Sequence, residues 1–587
     1  MLNKCVFSDV LAVMPALTLF ATTGMAAPVD NDFSSNLPLI SIHTTQVINA
    51  DSKVMGTMQV YNRGEGQRNC LSDTVLEYNG AIGIKWRGNS SLSFDQKKYT
   101  LETRLNDSTD VKVSLLDMPA ESDWVLLAPY NDISLMRDVF AFQLWNEMGH
   151  WGPHTRMCEV LVNDEYRGVY ILSEQIKRGK KRVDIAKLKE DDLTGRDVTG
   201  GYIVRVDAFD EEDATFTSTV PGIQPAMWGS GGTGTVTWTV YYPKKKNLQP
   251  AQMSYISDYI RQVEESFQSA DYTDPATGYA QWIDVASFVD YFIHTEVSLN
   301  ADGFKRSSYF YKDKDPKSGG YARLQAGPVW DYNLAYGNCN FCNANNTEAW
   351  VYEGCYTNPT PAMWKRLVGD PSFMAAVRER YAYLRRTLLS QASIDQFIDS
   401  HAALLDEAQQ RHFQLYSNLL VSNSGNSGNN GGWGNWGGWG GAWGGGAWGG
   451  GWGGGNTNPV SSFAAYTVAS YAEELSVLKE WFAKRLAFLD RQWQYDGSAS
   501  LAPCSTDRLS VHTYFSAPSQ LNIESDRSLS RIEVYSLSGH LLSSHVSASG
   551  THHCSLSVPS HGGGSVIVNC YTLSGQQISA RAMDREH

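Results

Sequence analysis

The order of strand-like and helix-like periodicity along the chain constrains its fold most strongly. In the first half, short runs rich in aliphatic, aromatic and β-branched residues are typical of strands, at 82–86, 98–102, 124–127, 159–162 and 169–172. The second half instead repeats apolar residues mostly at three- and four-residue steps, at 393–420 and 461–493. Strands followed by helices predict an α+β class with a two-lobed arrangement.

Two more helices are predicted from their end signals. One is expected to run from a cap at Asp132 or Ser134 to a stop at Gly149. Another is expected to start at Asp284, ahead of an apolar face that begins at Phe288.

A glycine-rich insertion at 424–458 separates the two late helical segments. It carries tryptophans at spacings of three to five residues: Trp433, Trp436, Trp439, Trp443, Trp448 and Trp452. Glycine loses more conformational entropy on folding than other residues, so we interpret the tract as a flexible loop between adjacent helices. A patch that sticks to glycans or envelope polymers is the alternative.

The two ends of the chain differ from its body. Residues 1–27 combine Lys4, an apolar run at 10–20 and small residues at 24–27, which predicts a signal peptide and a secreted or outer-surface protein. The body is predicted at 28–503, without a transmembrane segment. Residues 504–587 show short alternating runs punctuated by glycine, which indicates a small β-sandwich.

Charge and cysteine content narrow the function further. The net charge of −14 argues against nucleic acid as a partner, since phosphate recognition needs clustered basic residues. Removing Cys5 with the signal peptide leaves an even number of cysteines, which favours disulfides in an exported protein. Cys339 and Cys342 form a CxxC with Cys355 thirteen residues on, and we favour a disulfide there over a metal or redox site.

Two aspartates are spaced as phosphoryl transfer would require. Asp302 follows a predicted helix, a predicted strand at 307–312 comes next, and Asp331 follows after a turn. This is the order of a kinase catalytic loop and its metal-binding successor. Aspartates at element ends are also common as caps and turn formers. Walker A, HExxH and GxSxG patterns are absent from the sequence, which removes several other enzyme classes.

The body carries a series of short motifs in this order: Ile84–Ser90, Lys97–Glu102, Trp124–Arg137, Tyr166–Glu174, Gly200–Ile203, Asn300–Asp302 and Pro328–Asp331. Taken in order, these motifs resemble the spore coat protein H (CotH) kinase family. The resemblance implies an atypical protein-kinase-like fold that uses ATP with Mg²⁺ or Mn²⁺ to phosphorylate a protein substrate.

The resemblance also implies roles for individual residues. Asp302 resembles the catalytic aspartate, and Asp331 with Asn333 resembles the metal-binding pair. The residues expected on the nucleotide side, as phosphate contacts or orienting groups, are Arg87, Lys98, Arg137 and Glu174.

Three positions depart from the family pattern. Asn333 stands where many members have Asp, Arg205 where an acidic residue is common, and Ser307 where a protein kinase has its metal-binding Asn. A catalytically weak, kinase-like surface binding or adhesion protein is therefore the alternative. Carbohydrate hydrolysis by paired carboxylates is a third reading.

The tail resembles the C-terminal sorting domain of the type IX secretion system. Residues 532–539 and 564–568 carry this resemblance, which implies the type IX secretion machinery as a partner.

Overall fold

The computed structural model describes residues 29–64, 66–225, 232–421, 465–497, 511–517, 519–536, 541–558, 565–572 and 577–583. The chain divides into two compact units, Met1–Tyr495 and Asp496–His587. The predicted signal peptide and the whole glycine-rich insertion lie outside the described residues. The mixed helix and sheet content agrees with the predicted α+β class.

The first unit begins with a closed β-barrel. Its strands and their small neighbours are β1 Ser34–Ser35, β2 Leu39–His43, β3 Val54–Tyr61, β4 Asn69–Cys70, β5 Tyr78–Arg87, β6 Lys98–Arg104, β7 Asp123–Leu127, β8 Thr155–Val162 and β9 Glu165–Glu174. Seven of them close in the order β2-β3-β5-β6-β7-β9-β8, with β2 and β8 parallel, and β1 pairs with β4 outside the barrel. All five strands expected in the first half are present.

Side-chain alternation divides the barrel wall into two faces. Inward residues from every strand of the barrel form one buried core, to which Ile84, Leu101 and Trp124 belong. Outward residues such as Val125 and Leu127 belong to a second core shared with the helices. The barrel is therefore apolar on both sides of its helix-facing wall.

A second sheet follows the barrel. The strands are β10 Tyr202–Val206, β11 Ala214–Thr217, β12 Gly222–Gln224, β13 Gly232–Gly234, β14 Thr237–Tyr242, β15 Ser308–Lys312 and β16 Gln325–Ala326. Five of them form an antiparallel sheet in the order β11-β14-β10-β15-β16, while β12 pairs with β13. Strand β15 corresponds to the strand expected at 307–312.

The helices of the first unit pack on the barrel and on this sheet. They are α1 Arg137–Glu147, α2 Pro250–Ser266, α3 Val285–Ser298, α4 Met363–Val368, α5 Pro371–Arg386, α6 Gln391–Leu404, α7 Asp406–Leu415 and α8 Tyr471–Gln492. The expected cap of α3 is present, since the Asp284 side chain accepts a hydrogen bond from the Ser287 N–H. Among the described residues, no helix is both long and apolar enough to cross a bilayer.

Two helix boundaries differ from the sequence prediction. Helix α1 begins at Arg137 because Asp132 closes a turn, accepting from the Ser134 N–H at 3.0 Å. The other oxygen of Asp132 accepts from the Arg137 N–H at 2.8 Å, so the carboxylate serves the helix start from outside it. The segment 393–420 forms two helices, α6 and α7, with Leu405 between them.

The flanks of the glycine-rich insertion are hydrogen-bonded to each other. The Val421 N–H donates to the Val468 carbonyl at 2.9 Å, and α8 starts three residues later. The insertion therefore leaves and re-enters the same part of the first unit.

The second unit is an antiparallel sheet. Its strands are β17 Val511–Ala517, β18 Gln520–Ser536, β19 Leu541–Ser557, β20 Ser565–Thr572 and β21 Gln577–Met583. They pair in the order β17-β18-β20-β21, with β19 also on β18. Leu521, Ile523, Ile532, Val534 and Val568 belong to its apolar core. The domain boundary at 503/504 and the sandwich arrangement stay predictions.

A disulfide joins Cys342 to Cys355 and closes a loop with a sequence separation of 13. This agrees with the favoured interpretation of the cysteine pattern. Cys339 remains a buried thiol, packed against Ala301 and Ala344.

Candidate functional site

Two basic side chains meet on the outer face of the barrel. Arg87 ends β5, Lys98 begins β6, and the two are direct cross-strand partners. The neighbouring Tyr99 points into the barrel core, so alternation turns Lys98 outward toward the helices. The Lys98 side chain is 11% exposed, which leaves its charge partly desolvated.

Asp331 approaches Lys98 from the loop after β16. Its backbone has φ 65°, a left-handed conformation that is uncommon outside glycine and that aspartate adopts more readily than most residues. The carboxylate lies 3.6 Å from the Lys98 ammonium and is 38% exposed. The preceding Trp330 stacks on Phe142 of α1, and the Arg87 guanidinium lies 5.1 Å from its ring centroid. Aromatic packing thus fixes the strained loop against the two basic residues.

Asp302 comes to the same place from the end of α3. The helix stops at Leu299, which is left-handed, and the Asp302 N–H then donates to the Asn300 side chain at 3.1 Å. The Asn300 amide donates to the Asp331 carbonyl at 3.4 Å, which links the two loops. Burial raises the pKa of Asp302. The positive charges of Lys305 and Arg306 lower this pKa, and the Asp331 charge raises it further.

The Asp331 charge raises the pKa of two more carboxyls, neither of which was predicted as a site residue from the sequence. Burial raises the pKa of Asp138 to about 7, with Lys98 lowering it and Asp331 raising it. Asp138 accepts the Tyr332 N–H at 2.6 Å, directly beside Asp331. At the end of β10, burial raises the pKa of Asp207, Arg205 lowers it and Asp331 raises it again.

The site is thus Asp331 together with three carboxyls from other elements whose pKa its charge raises: Asp138, Asp207 and Asp302. Asp138 is adjacent to a residue of the Trp124–Arg137 motif, and Asp207 is four residues beyond Gly200–Ile203. A search for acidic residues next to the family motifs would have found them. Perturbed carboxyls that repel one another are common where a protein binds a metal or moves a proton.

Asn333 belongs to a chain of amides beside this group. Its side-chain nitrogen donates to the Asn131 side chain at 3.1 Å, and its carbonyl accepts from Asn338 at 2.8 Å. Asn338 also donates to the Asn131 carbonyl at 2.7 Å. These bonds fix the side chain and the backbone carbonyl of Asn333, which follows Asp331 by two residues in the same loop.

The protein offers few side-chain ligands for a hard divalent cation. In the described part of the chain, no three His, Cys, Asp or Glu side chains converge closely enough to hold a metal ion. Asp331 and Asn333 offer oxygen atoms, which Mg²⁺ and Mn²⁺ prefer. Mg²⁺ is commonly held by one or two carboxylates, with phosphate oxygens and water completing its shell. The residues present fit that arrangement.

Arg137 lies next to the site but is occupied by protein groups. Its buried guanidinium donates to Glu474 of α8 at 2.8 Å and also contacts Asp132. It donates to the carbonyls of Ala335 at 3.2 Å and Tyr336 at 3.4 Å, in the loop that follows Asp331. This geometry ties α1, α8 and the loop together, and it favours a structural role over contact with a nucleotide.

Glu174 lies on the other face of the barrel wall. Glu174 of β9 is the cross-strand partner of Trp124 in β7, whose side chain lies inside the barrel. Glu174 therefore faces inward, whereas Lys98 faces outward. Its carboxylate accepts from His154 at 2.7 Å and lies 3.4 Å from Arg182. The structure therefore brings together Arg87, Lys98, Asp302, Asp331 and Asn333, and leaves Glu174 outside that group.

A lysine on the barrel wall thus faces one loop aspartate, Asp331, and the loop of Asp302 is bonded to the loop of Asp331. The model of the family described as CotH kinase protein matches residues 84–489, more than half of the chain, and the protein belongs to that family.

The comparison with curated proteins found no match. Among solved structures, CopC from Methylosinus trichosporium OB3b is similar at 14% identity, over 13% of this chain and 89% of that chain, with a TM-score of 0.11. That likeness supports no conclusion about fold or function.

Proposed function

We propose that this protein is an atypical protein kinase that transfers the γ-phosphate of ATP to a protein hydroxyl in a metal-dependent reaction. The observation that carries the proposal is the contact of Lys98 with Asp331 at 3.6 Å, beside an Asp302 whose pKa is raised. Phosphoryl transfer depends on positioned cations, a metal-binding carboxylate and an acidic group near the acceptor. The barrel and the helical part would serve as the two lobes.

Each residue then has a distinct role. Lys98 and Arg87 bind phosphate oxygens from the barrel wall, where their positive charges already face the loop. Asp331 and Asn333 would hold Mg²⁺ or Mn²⁺, which when bound neutralises charge on the phosphates. Asp302 accepts the proton of the acceptor hydroxyl as its oxygen bonds to the γ-phosphorus and ADP leaves. Its raised pKa makes it a better base than an exposed aspartate.

Export is part of the proposal. The sequence of residues 1–27 and the likeness of the tail to a type IX sorting domain support a secreted or outer-surface location. On this proposal the type IX secretion machinery is a partner of the chain.

A kinase-like binding protein is the second candidate, and one observation favours it. Asn333 stands where a second carboxylate is common, and its amide nitrogen is committed to Asn131. An amide oxygen supplies less charge to a metal than a carboxylate does.

Labelled ATP tests the two candidates directly. Purified protein is incubated with the label and Mg²⁺ or Mn²⁺, beside the Asp331→Asn variant. The matched control is Asp399→Asn, which removes a 64%-exposed carboxylate that pairs with Lys479. We expect label in the wild type and the control and none in Asp331→Asn. A folded wild type that takes up no label under either metal would favour the binding protein.

A further inference from the structure

Two basic segments that are far apart in the sequence lie side by side in the first unit. Residues 177–182 follow β9, and residues 244–246 follow β14. The Tyr241 hydroxyl of β14 donates to the carbonyl just before the first segment at 3.0 Å. The Arg178 guanidinium lies 5.9 Å from the Tyr242 ring centroid. The two segments therefore form one surface.

This surface carries positive charge that the protein leaves uncompensated. Lys177 pairs with Glu121 and Asp123, and Arg182 pairs with Glu174. Within the described ranges, the other cations of the two segments form no ion pair with an acidic side chain: Arg178, Lys180, Lys181, Lys244, Lys245 and Lys246. We call these six residues the basic surface. All but Arg178 are exposed, in a chain whose net charge is −14.

The basic surface is supported by a fixed aromatic side chain. The Lys244 ammonium lies 4.1 Å from the Tyr241 ring centroid. The Tyr241 hydroxyl also accepts from Gln175 at 3.3 Å, so the ring is held from the β9 side as well. Cations that are already ordered lose less conformational entropy when they bind a partner.

A chain of contacts leads from the basic surface to the candidate site. The Arg205 guanidinium lies 5.3 Å from the Tyr241 ring centroid and pairs with Asp207 at 3.2 Å. Asp207 is one of the carboxyls on which the Asp331 charge acts. A partner on the basic surface would therefore lie beside the end of β14, the strand that pairs with β10 ahead of Asp207.

We propose that the basic surface binds an acidic segment of the protein that accepts the phosphate. This rests on the proposed kinase function, to which it adds the class of substrate. A short run of carboxylates matches a small cluster of cations. A nucleic acid extends its phosphates well past such a cluster, onto a chain whose net charge is −14.

Binding is measured with the full chain, in EDTA and without ATP, so that phosphoryl transfer plays no part. The probe is a fluorescent peptide of alternating Asp and Ser, and its partner probe replaces every Asp with Asn. The test variant is Lys244→Glu/Lys245→Glu/Lys246→Glu. The control, Lys317→Glu/Lys365→Glu/Arg386→Glu, changes the net charge equally at exposed positions elsewhere.

We expect the test variant to weaken binding of the Asp peptide at least about tenfold at low ionic strength, and the control to weaken it less than about twofold. Lys180→Glu/Lys181→Glu should act in the same direction, because the surface is built from both segments. Equal binding of the Asn peptide, or an equal loss in the control, would overturn the proposal. So would tighter binding of a single-stranded oligonucleotide of the same charge.

The two proposals fail separately. Asp331→Asn should bind the Asp peptide as the wild type does, whatever its activity. If the wild type binds the peptide as expected but transfers no phosphate to it, the kinase function fails and the basic surface stands as a binding site. If phosphate transfer to the Asp peptide occurs with a KM that the test variant leaves unchanged, the basic surface fails and the kinase function stands.

Discussion

Two neighbouring charge clusters in this protein are built in opposite ways. Around Arg137, one guanidinium is shared between Asp132 and Glu474, and it also donates to backbone carbonyls and to the Tyr466 hydroxyl. Around Asp331, Lys98 is ion-paired with Asp331 and Arg205 with Asp207, and the Asp331 charge raises the pKa of Asp138 and Asp302. The first cluster is compensated and holds the fold. In the second, the Asp331 charge raises the pKa of three other carboxyls, a repulsion that a bound cation would relieve.

The compensated cluster should give the largest effect on stability. Arg137→Met leaves Glu474 and Asp132 buried without their cation, and we expect a loss of about 3–5 kcal/mol in the free energy of unfolding. Arg137→Met/Glu474→Met removes one of the stranded charges and should recover part of that loss. Urea unfolding measures both, and a double variant no more stable than the single one would contradict the comparison.

The cluster around Asp331 should show the reverse pattern. Asp331→Asn is expected to lower phosphoryl transfer at least about 100-fold, since it removes the proposed metal-binding carboxylate. Its free energy of unfolding should fall by no more than about 1 kcal/mol, because the lost Lys98–Asp331 ion pair is long and partly exposed. The substitution also removes the repulsion between Asp331 and the nearby carboxyls. An activity assay and urea unfolding of the same sample decide between the outcomes. A strongly destabilised Asp331→Asn would mean that the cluster is structural.

Asp138 should make stability depend on pH. Its pKa is raised to about 7, so the folded state holds its proton more tightly than the unfolded chain does. That contribution is fully present below pH 4 and is lost as pH rises through 7, with a slope of up to about 1.4 kcal/mol per pH unit.

In EDTA, Asp138→Asn should therefore gain stability relative to the wild type as the pH rises from about 4 to about 7. The pH series of the unfolding free energy is the measurement, and Asp399→Asn should keep the wild-type slope. Parallel curves for Asp138→Asn and the wild type would contradict the assignment.

Glu174 should give the smallest effect on activity. Glu174→Gln changes a carboxylate on the inner side of the barrel wall, so we expect phosphoryl transfer within about twofold of the wild type. The apparent melting temperature should fall, because His154 and Arg182 lose a charged partner. A rise in the KM for ATP would instead indicate that Glu174 acts at the nucleotide site.

Much of the local structure could be read from the sequence. The strands at 82–86 and 98–102 and the Asp284 cap depend on neighbouring residues only, and the structure contains them. The start of α1 could not be placed, because the side chain of Asp132 binds the Arg137 N–H across a turn.

What the sequence by itself determined is the family, the order of strands and helices, and the two aspartates whose spacing indicates phosphoryl transfer. Only the tertiary structure decided which charges meet. Closure of the barrel set Lys98 outward and Glu174 inward, and packing of α1 brought Asp138 to the residue after Asp331. The reason is physical: alternation along a strand is local, but which face meets the helices depends on contacts between distant segments.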